Sequence, residues 1–159
     1  MARTIYSLLF SLLISAAYGQ TVKKMKIADL EAYISKSEKP LVINFWATFC
    51  SPCIEEIPYF QNTIKEKYNG LVELVLVSLD LPDYYPSKIK SFVNQRNFSA
   101  PVVWLNETNA DYFCPKIDHK WSGAIPATLM VNNKTRYRKF YEQQLTRLEF
   151  EQELQHLNK

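Results

Sequence analysis

The chain has 159 residues, of which 47% are hydrophobic and 22% charged, and its formal net charge is +3. This length and composition predict one globular domain with its own hydrophobic core, and they exclude a disordered protein and a disulfide-stapled mini-protein. The basic side chains are scattered, and their densest stretch, residues 134–139, alternates with Thr135 and Tyr137. That pattern is typical of a sheet-edge strand, so no nucleic-acid partner is expected.

The first 19 residues have the pattern of a signal peptide. Arg3 gives a positive start, an almost wholly apolar run extends from Ile5 to Ala17, and small residues precede Gln20. We therefore predict a signal peptide over residues 1–19, cleaved near Gly19, and a periplasmic or secreted domain over residues 20–159. The alternative is an uncleaved membrane anchor, although a membrane span needs about 18 or more apolar residues.

The remaining chain alternates between predicted strands and helices. Apolar residues at helical spacing predict helices over residues 27–36, 53–68, 87–96 and, after a capping box of Thr146 and Glu149, 147–157. Short apolar runs predict strands over residues 41–46, 71–80 and 102–105, and two extended runs predict a hairpin over residues 127–131 and 135–141. The stretch from residue 106 to residue 126 is predicted to be a loop. Such an order predicts an α/β protein with a central mixed β-sheet and helices on both faces.

The most specific pattern is the pair Cys50 and Cys53, placed where a predicted strand gives way to a helix. Two cysteines separated by two residues at such a junction indicate redox chemistry. Cys50 is expected just outside the helix, where unpaired N–H groups and the helix dipole favour a thiolate. Cys53, one turn further, is expected to be shielded. In this hypothesis Cys50 attacks a substrate disulfide and Cys53 resolves the mixed disulfide, so the pair needs no cofactor.

Other uses of the two sulfurs are also open. A disulfide that closes a loop of four residues constrains the unfolded chain very little, so a purely stabilising bond is a weak explanation. A zinc site would need ligands from Cys114, His119 and His156, which have no ligand-like spacing, so no metal is expected. Cu(I) binding by a metallochaperone is the stronger alternative, because soft thiolates suit that ion. A redox-inactive interaction domain is disfavoured by the intact cysteines.

Two separated segments resemble one known family. NFWATFCSPCIEEIP, residues 44–58, resembles the active-site segment of the TlpA-like branch of the thioredoxin superfamily, with Phe49 in place of the usual Trp. GAIPATLMVN, residues 123–132, is similar to the cis-proline loop of that family. The resemblance implies a thioredoxin-like fold, with Cys50 as nucleophile, Cys53 as resolving cysteine and Pro126 as the cis-proline. Without it, a trans Pro126 that begins the next strand is the simpler interpretation.

The resemblance also implies partners. TlpA-like proteins are typically extracytoplasmic bacterial oxidoreductases, and many of them reduce cysteines of other exported proteins, including apocytochromes c. We therefore expect thiols or disulfides of exported proteins as substrates, apocytochrome c among them, and a membrane or periplasmic thiol protein as electron donor. The preference for reduction rests on the resemblance alone. The sequence does not determine the redox potential of the cysteine pair, and therefore not the direction of the reaction. A peroxidase is disfavoured, since a Pro-x-x-x-Thr-x-x-Cys signature is missing around Cys50.

Two further residues carry expectations. Glu56 lies three residues after Cys53 and matches a glutamate of TlpA-like proteins, whereas Asn44 stands where many thioredoxins have a buried Asp. Glu56 is thus a candidate proton acceptor for Cys53; the alternative is that it complements the helix N-terminus. Cys114 is expected in a loop, either as a buried free thiol, the more common state of lone cysteines, or as a regulatory thiol. Its neighbour in sequence, His119, is not expected to form a metal site or a dyad with it.

Overall fold

The computed structural model describes residues 20–159, so the predicted signal peptide over residues 1–19 lies outside the described residues. Six strands form one sheet: β1 Val22–Met25, β2 Leu41–Trp46, β3 Glu73–Ser78, β4 Val102–Leu105, β5 Ala127–Asn132 and β6 Tyr137–Tyr141. Five α-helices accompany them: α1 Ile27–Lys36, α2 Ser51–Lys67, α3 Ser87–Gln95, α4 Ala110–Ile117 and α5 Arg147–Leu157. No helix in this part of the chain is long and apolar enough to cross a bilayer.

The sheet is mixed, as the order of the predicted elements indicated. Its strands lie in the order β1-β4-β3-β2-β5-β6. The strands β1, β4, β3 and β2 pair in parallel, whereas β5 is antiparallel to β2 and β6 is antiparallel to β5. Trp46 pairs with Ser78 at the ends of β2 and β3, so the loops that follow these two strands leave the sheet side by side. Parallel strands place their carboxyl ends at one edge, and the candidate site lies there.

Alternate residues of the central strand contact helices on opposite faces of the sheet. Val42 and Trp46 pack in a cluster with α2, α3 and α5, whereas Leu41, Ile43 and Phe45 pack in a second cluster with α1 and α4. This division follows from the two-residue period of a strand. The expectation of helices on both faces is therefore confirmed.

The predicted C-terminal part is also confirmed in outline. The side chains of Thr146 and Glu149 form the expected capping box, with Thr146 N–H donating to the Glu149 carboxylate at 2.7 Å. The basic stretch supplies β6, which is an edge strand as its composition indicated. The hairpin turn lies later than predicted, since β5 continues to Asn132 and Arg136 adopts a φ of 58°.

Two elements were missed by the sequence analysis. Strand β1 has lysines at its two central positions, so it shows no apolar run and becomes a strand by pairing with β4. Helix α4 occupies part of the predicted loop and contains Cys114, so the loop prediction for this cysteine was wrong. Pro115 argued against a helix, but it lies on the exposed side, where the carbonyl that it leaves unpaired can be hydrated.

Candidate active site

The two cysteines of the CxxC motif lie at the junction of β2 and α2. Cys50 is the N-cap of α2 and forms a disulfide with Cys53, with 5.3 Å between their Cα atoms. The Cys50 sulfur also accepts a hydrogen bond from the backbone N–H of Cys53, at 3.4 Å. Cys50 thus occupies the position at which a helix N-terminus stabilises negative charge, as predicted.

The two cysteines are buried, whereas the residues immediately before and between them are exposed. Cys50 is 7% exposed and Cys53 is fully buried, whereas Phe49 is 69% exposed. Ser51 and Pro52, which separate the cysteines, are exposed as well. Cys50 therefore keeps a small accessible surface beside exposed Phe49 and the exposed first turn of α2, whereas Cys53 keeps none. This difference matches the predicted pair of an outer and an inner cysteine.

A buried carboxylate holds the loop before Cys50. Asp80, 4% exposed, follows β3 and accepts hydrogen bonds from the Thr48 backbone N–H at 3.1 Å and from the Thr48 hydroxyl at 2.6 Å. It also accepts from the Ser78 hydroxyl at 2.8 Å. Sequence reasoning missed Asp80, although its signal was present: it is a charged residue at the end of the buried strand predicted over residues 71–80, at the edge where loops carry function.

Glu56 lies on α2 one turn beyond Cys53 and is fully buried. Its carboxylate accepts hydrogen bonds from the Asn44 side-chain amide at 2.7 Å and from the Leu145 backbone N–H at 3.1 Å. Burial raises its pKa from 4.5 to about 7, and the two hydrogen bonds partly oppose that rise. A carboxyl group with such a pKa can both take up and release a proton at neutral pH.

Asn44 connects Glu56 to the strand on its other side. Its amide donates to Thr128 Oγ1 at 3.1 Å, across the register that pairs β2 with β5. Its own Oδ1 atom has no hydrogen-bond partner within residues 20–159. Both backbone groups of Leu145 form hydrogen bonds with side chains of α2: its N–H donates to Glu56, and its carbonyl accepts from the Tyr59 hydroxyl. Neither Leu145 nor Thr128 carried a sequence signal for this network.

The peptide bond between Ile125 and Pro126 is cis, as the resemblance implied. Pro126 directly precedes β5, whose first residue, Ala127, pairs with Phe45 near the end of β2. The proline therefore lies beside the strand end from which the CxxC loop departs. A second cis bond, between Tyr85 and Pro86, was not predicted.

Cys114 and His119 are not brought together with this site. Cys114 is a free thiol, buried on α4 in the second hydrophobic cluster. Burial first, then the charges of Glu142 and Asp111, raise the pKa of this thiol to about 11. The His119 side chain is 81% exposed, so it points to solvent. No group of three or more metal-ligating side chains occurs among the residues that the structure describes.

Comparison with known proteins gives one family and several relatives. The AhpC/TSA family matches residues 14–139. A chloroplastic thioredoxin Y of Oryza sativa subsp. japonica is 27% identical over 109 residues, which cover 69% of this chain and 57% of that protein. The thiol-disulfide oxidoreductase ResA of Oceanobacillus iheyensis is 35% identical over 78 residues, covering 49% of this chain and 36% of its own. The chain thus spans less than two thirds of the length of these two relatives.

A solved structure has the same fold. The crystal structure of a thioredoxin-related protein from Neisseria meningitidis serogroup B aligns with a TM-score of 0.64 at 24% identity, over 76% of this chain and 86% of that one.

Proposed function

The chain belongs to the AhpC/TSA family, and from this membership and its site we propose that it is a thiol–disulfide oxidoreductase working through Cys50 and Cys53. Its fold is thioredoxin-like, as the resemblance implied. The observation that carries the proposal is the disulfide at the start of α2, with Cys50 capping the helix and Cys53 sealed behind it.

In the reducing direction, the cycle begins with both cysteines as thiols. The Cys50 thiolate attacks one sulfur of a substrate disulfide, forming a mixed disulfide and releasing the other substrate sulfur as a thiolate. Cys53 then loses its proton and attacks Cys50, which releases the second substrate thiolate. The substrate gains two electrons and, with protons from solvent, becomes two thiols. The enzyme loses the same two electrons and ends as the Cys50–Cys53 disulfide.

Glu56 is the proposed acceptor of the Cys53 proton. Both side chains are fully buried and lie one turn apart on α2, so they share a helix side. A pKa of about 7 leaves a large fraction of Glu56 ionised at neutral pH. The proton can therefore move from the thiol to the carboxylate inside the protein, where water has little access.

Pro126 and the residue before it form the proposed substrate contact. The loop before β5 lies beside the end of β2, and the Ile125 backbone, which makes no turn hydrogen bond among residues 20–159, is available to an extended substrate segment. In this role the loop holds a substrate cysteine in line with Cys50, while Phe49, next to Cys50 in the chain, supplies exposed apolar surface.

The setting of the reaction is a further part of the proposal. The apolar segment over residues 5–17 directs export, and exported proteins with disulfides, apocytochrome c among them, are the substrates. A thiol protein of the membrane or periplasm returns electrons to the disulfide. Mass spectrometry of the N-terminus from a fractionated producing cell tests export: a chain that retains residues 1–19 in the cytoplasm contradicts it.

Trapping tests the whole scheme. The Cys53→Ser variant should accumulate proteins bound to Cys50 as mixed disulfides, which a reducing agent releases and mass spectrometry identifies. The double variant Cys50→Ser/Cys53→Ser is the matched control, because it keeps Cys114 and loses both active sulfurs. Equal adducts on both variants would contradict the proposal. Tight stoichiometric Cu(I) binding without disulfide exchange would instead favour a metallochaperone.

A further inference from the structure

A single carboxylate holds the loop that leads into the cis-proline. Glu142 follows the last residue of β6, and its Oε1 atom accepts hydrogen bonds from the backbone N–H groups of Ser122 at 2.9 Å and Ala124 at 3.0 Å. The Ser122 hydroxyl donates to the same oxygen. Glu142 comes from a different strand, so its contact fixes the loop from outside.

The loop has few other connections. Within residues 20–159, no turn or loop hydrogen bond between backbone groups includes residues 122–125. The inner side of the loop rests on α4: a β-carbon built on Gly123, which has a φ of +97°, would lie 3.7 Å from Cys114 Sγ. The Trp121 indole N–H donates to the Ala124 carbonyl at 2.9 Å. Glu142 is therefore the contact that ties the backbone N–H groups of this loop to the sheet.

The hydrogen bonds of Glu142 end one residue before the proposed substrate contact. Ser122 and Ala124 are both held, whereas the half-buried Ile125 makes no turn or side-chain hydrogen bond in the described part of the chain. The Ser122 hydroxyl, followed by the two N–H groups, lowers the pKa of Glu142, so the carboxylate is charged at neutral pH. Hydrogen bonds to a charged acceptor are roughly twice as strong as neutral ones.

We propose that Glu142 is a positioning residue for polypeptide substrates. By holding residues 122–124, its carboxylate fixes the direction of the Ile125 backbone, along which an extended substrate pairs. This inference rests on the proposed function. A small disulfide that makes no strand-like pairing does not need the loop to be fixed, so the contribution of Glu142 should depend on the size of the substrate.

Two probes that release the same coloured thiolate test this dependence. The first is an extended peptide whose one cysteine is a mixed disulfide with thionitrobenzoate, and the second is the small disulfide dithionitrobenzoate. Each is mixed in excess with the fully reduced protein, and release of thionitrobenzoate is followed in a single turnover. For Glu142→Ala we expect the half-saturating peptide concentration to rise about tenfold, because the released loop must be ordered when the peptide binds, and a single ordering cost of this kind weakens binding by about that factor. The limiting rate with peptide and the rate with dithionitrobenzoate should stay unchanged.

Glu151→Ala is the matched control. Glu151 lies on α5, outside the loop, and forms an ion pair with Lys67 of α2 at 2.7 Å. Glu142→Gln should give an intermediate half-saturating concentration, since an amide oxygen still accepts but carries no charge. Amide NMR shifts of Ser122 and Ala124 should move in both Glu142 variants and stay in place in Glu151→Ala.

Two outcomes overturn the inference. One is an unchanged half-saturating peptide concentration in Glu142→Ala, and the other is an equal slowing with both probes, which indicates general damage. A wild-type protein that releases thionitrobenzoate from neither probe would instead contradict the proposed oxidoreductase activity itself.

Discussion

The two faces of the sheet place cysteine in different chemical environments. Cys50 and Cys53 lie in the cluster with α2, α3 and α5, whereas Cys114 lies in the cluster with α1 and α4. All three are buried, with exposures of 7%, 0% and 2%. Low exposure therefore does not separate the proposed reactive cysteines from the third one.

The difference lies in the backbone and polar groups around each sulfur. Cys50 caps a helix and accepts a backbone N–H, and its partner Cys53 lies one turn from the buried carboxyl of Glu56. Cys114 lies within α4 among apolar side chains, and its raised pKa keeps it a neutral thiol. The contrast predicts that position on a helix and nearby proton acceptors, and not exposure, separate the reactive thiols from the inert one, because they decide whether a thiolate can form.

The largest expected effect tests that contrast directly. Cys50→Ser should reduce the rate of disulfide reduction at least about 1,000-fold, because it removes the nucleophile. Cys114→Ser should leave the rate unchanged, since a neutral thiol in the other cluster takes no part. Turnover of a disulfide-bonded protein substrate measures both rates. A large loss of activity in Cys114→Ser would abolish the distinction between the two faces.

A second prediction concerns Glu56, the buried carboxyl group one turn from Cys53. With Glu56→Gln, resolution of a preformed mixed disulfide on Cys50 should slow about 100-fold at pH 8, because the proton acceptor is lost. In the wild type this step should accelerate as pH rises through about 7, where Glu56 loses its proton, and the variant should lack that rise. Stopped-flow measurement against pH provides the comparison. Glu55→Gln, on the exposed neighbour, is the control and should keep the wild-type profile.

Stability should change with pH through the same group. The pKa of Glu56 is raised from 4.5 in the unfolded chain to about 7 in the folded protein, so folding favours the protonated form. Its contribution is fully present below pH 4.5. That contribution, about 3 kcal/mol, is lost as pH rises through about 7. Urea unfolding of Glu56→Gln between these pH values should lack this loss; a slope equal to that of the wild type would show that Glu56 is not the group responsible.

The smallest expected effect tests how the CxxC loop is anchored. Asp80→Asn should lower the free energy of unfolding by about 1–3 kcal/mol, because the donors of half-buried Thr48 and buried Ser78 lose a charged acceptor. Urea midpoints measure the change, and Asp83→Asn is the control, because Asp83 is exposed on the short 3-10 helix Pro82–Tyr84 that follows Asp80. If both variants unfold at the same urea concentration, the hydrogen bonds of Asp80 do not stabilise the loop before Cys50.

Most of the architecture could be predicted from local patterns. Helix α1 has the predicted bounds, and β2 and β4 lie where their apolar runs indicated. The cysteine pair was also a local signal, because a CxxC at a strand–helix junction involves residues within one helical turn. The missed elements had misleading local patterns: two lysines in β1 and Pro115 in α4. Contacts with β4 and with the second cluster gave these segments their structure.

By itself, the sequence determined the position of Cys50 at a helix start, the one-turn spacing of Cys53 and the caps and faces of the main helices, because these depend on residues a few positions apart. The tertiary structure decided the environment of the site. Leu145 lies 89 residues from the Glu56 carboxylate to which it donates, Thr128 lies 84 residues from Asn44, and Asp80 lies 32 residues from Thr48. Folding brings these groups together: burial then raises the pKa of Glu56, its hydrogen bonds partly oppose that rise, and the hydrogen bonds of Asp80 hold the CxxC loop. No local spacing encodes these contacts.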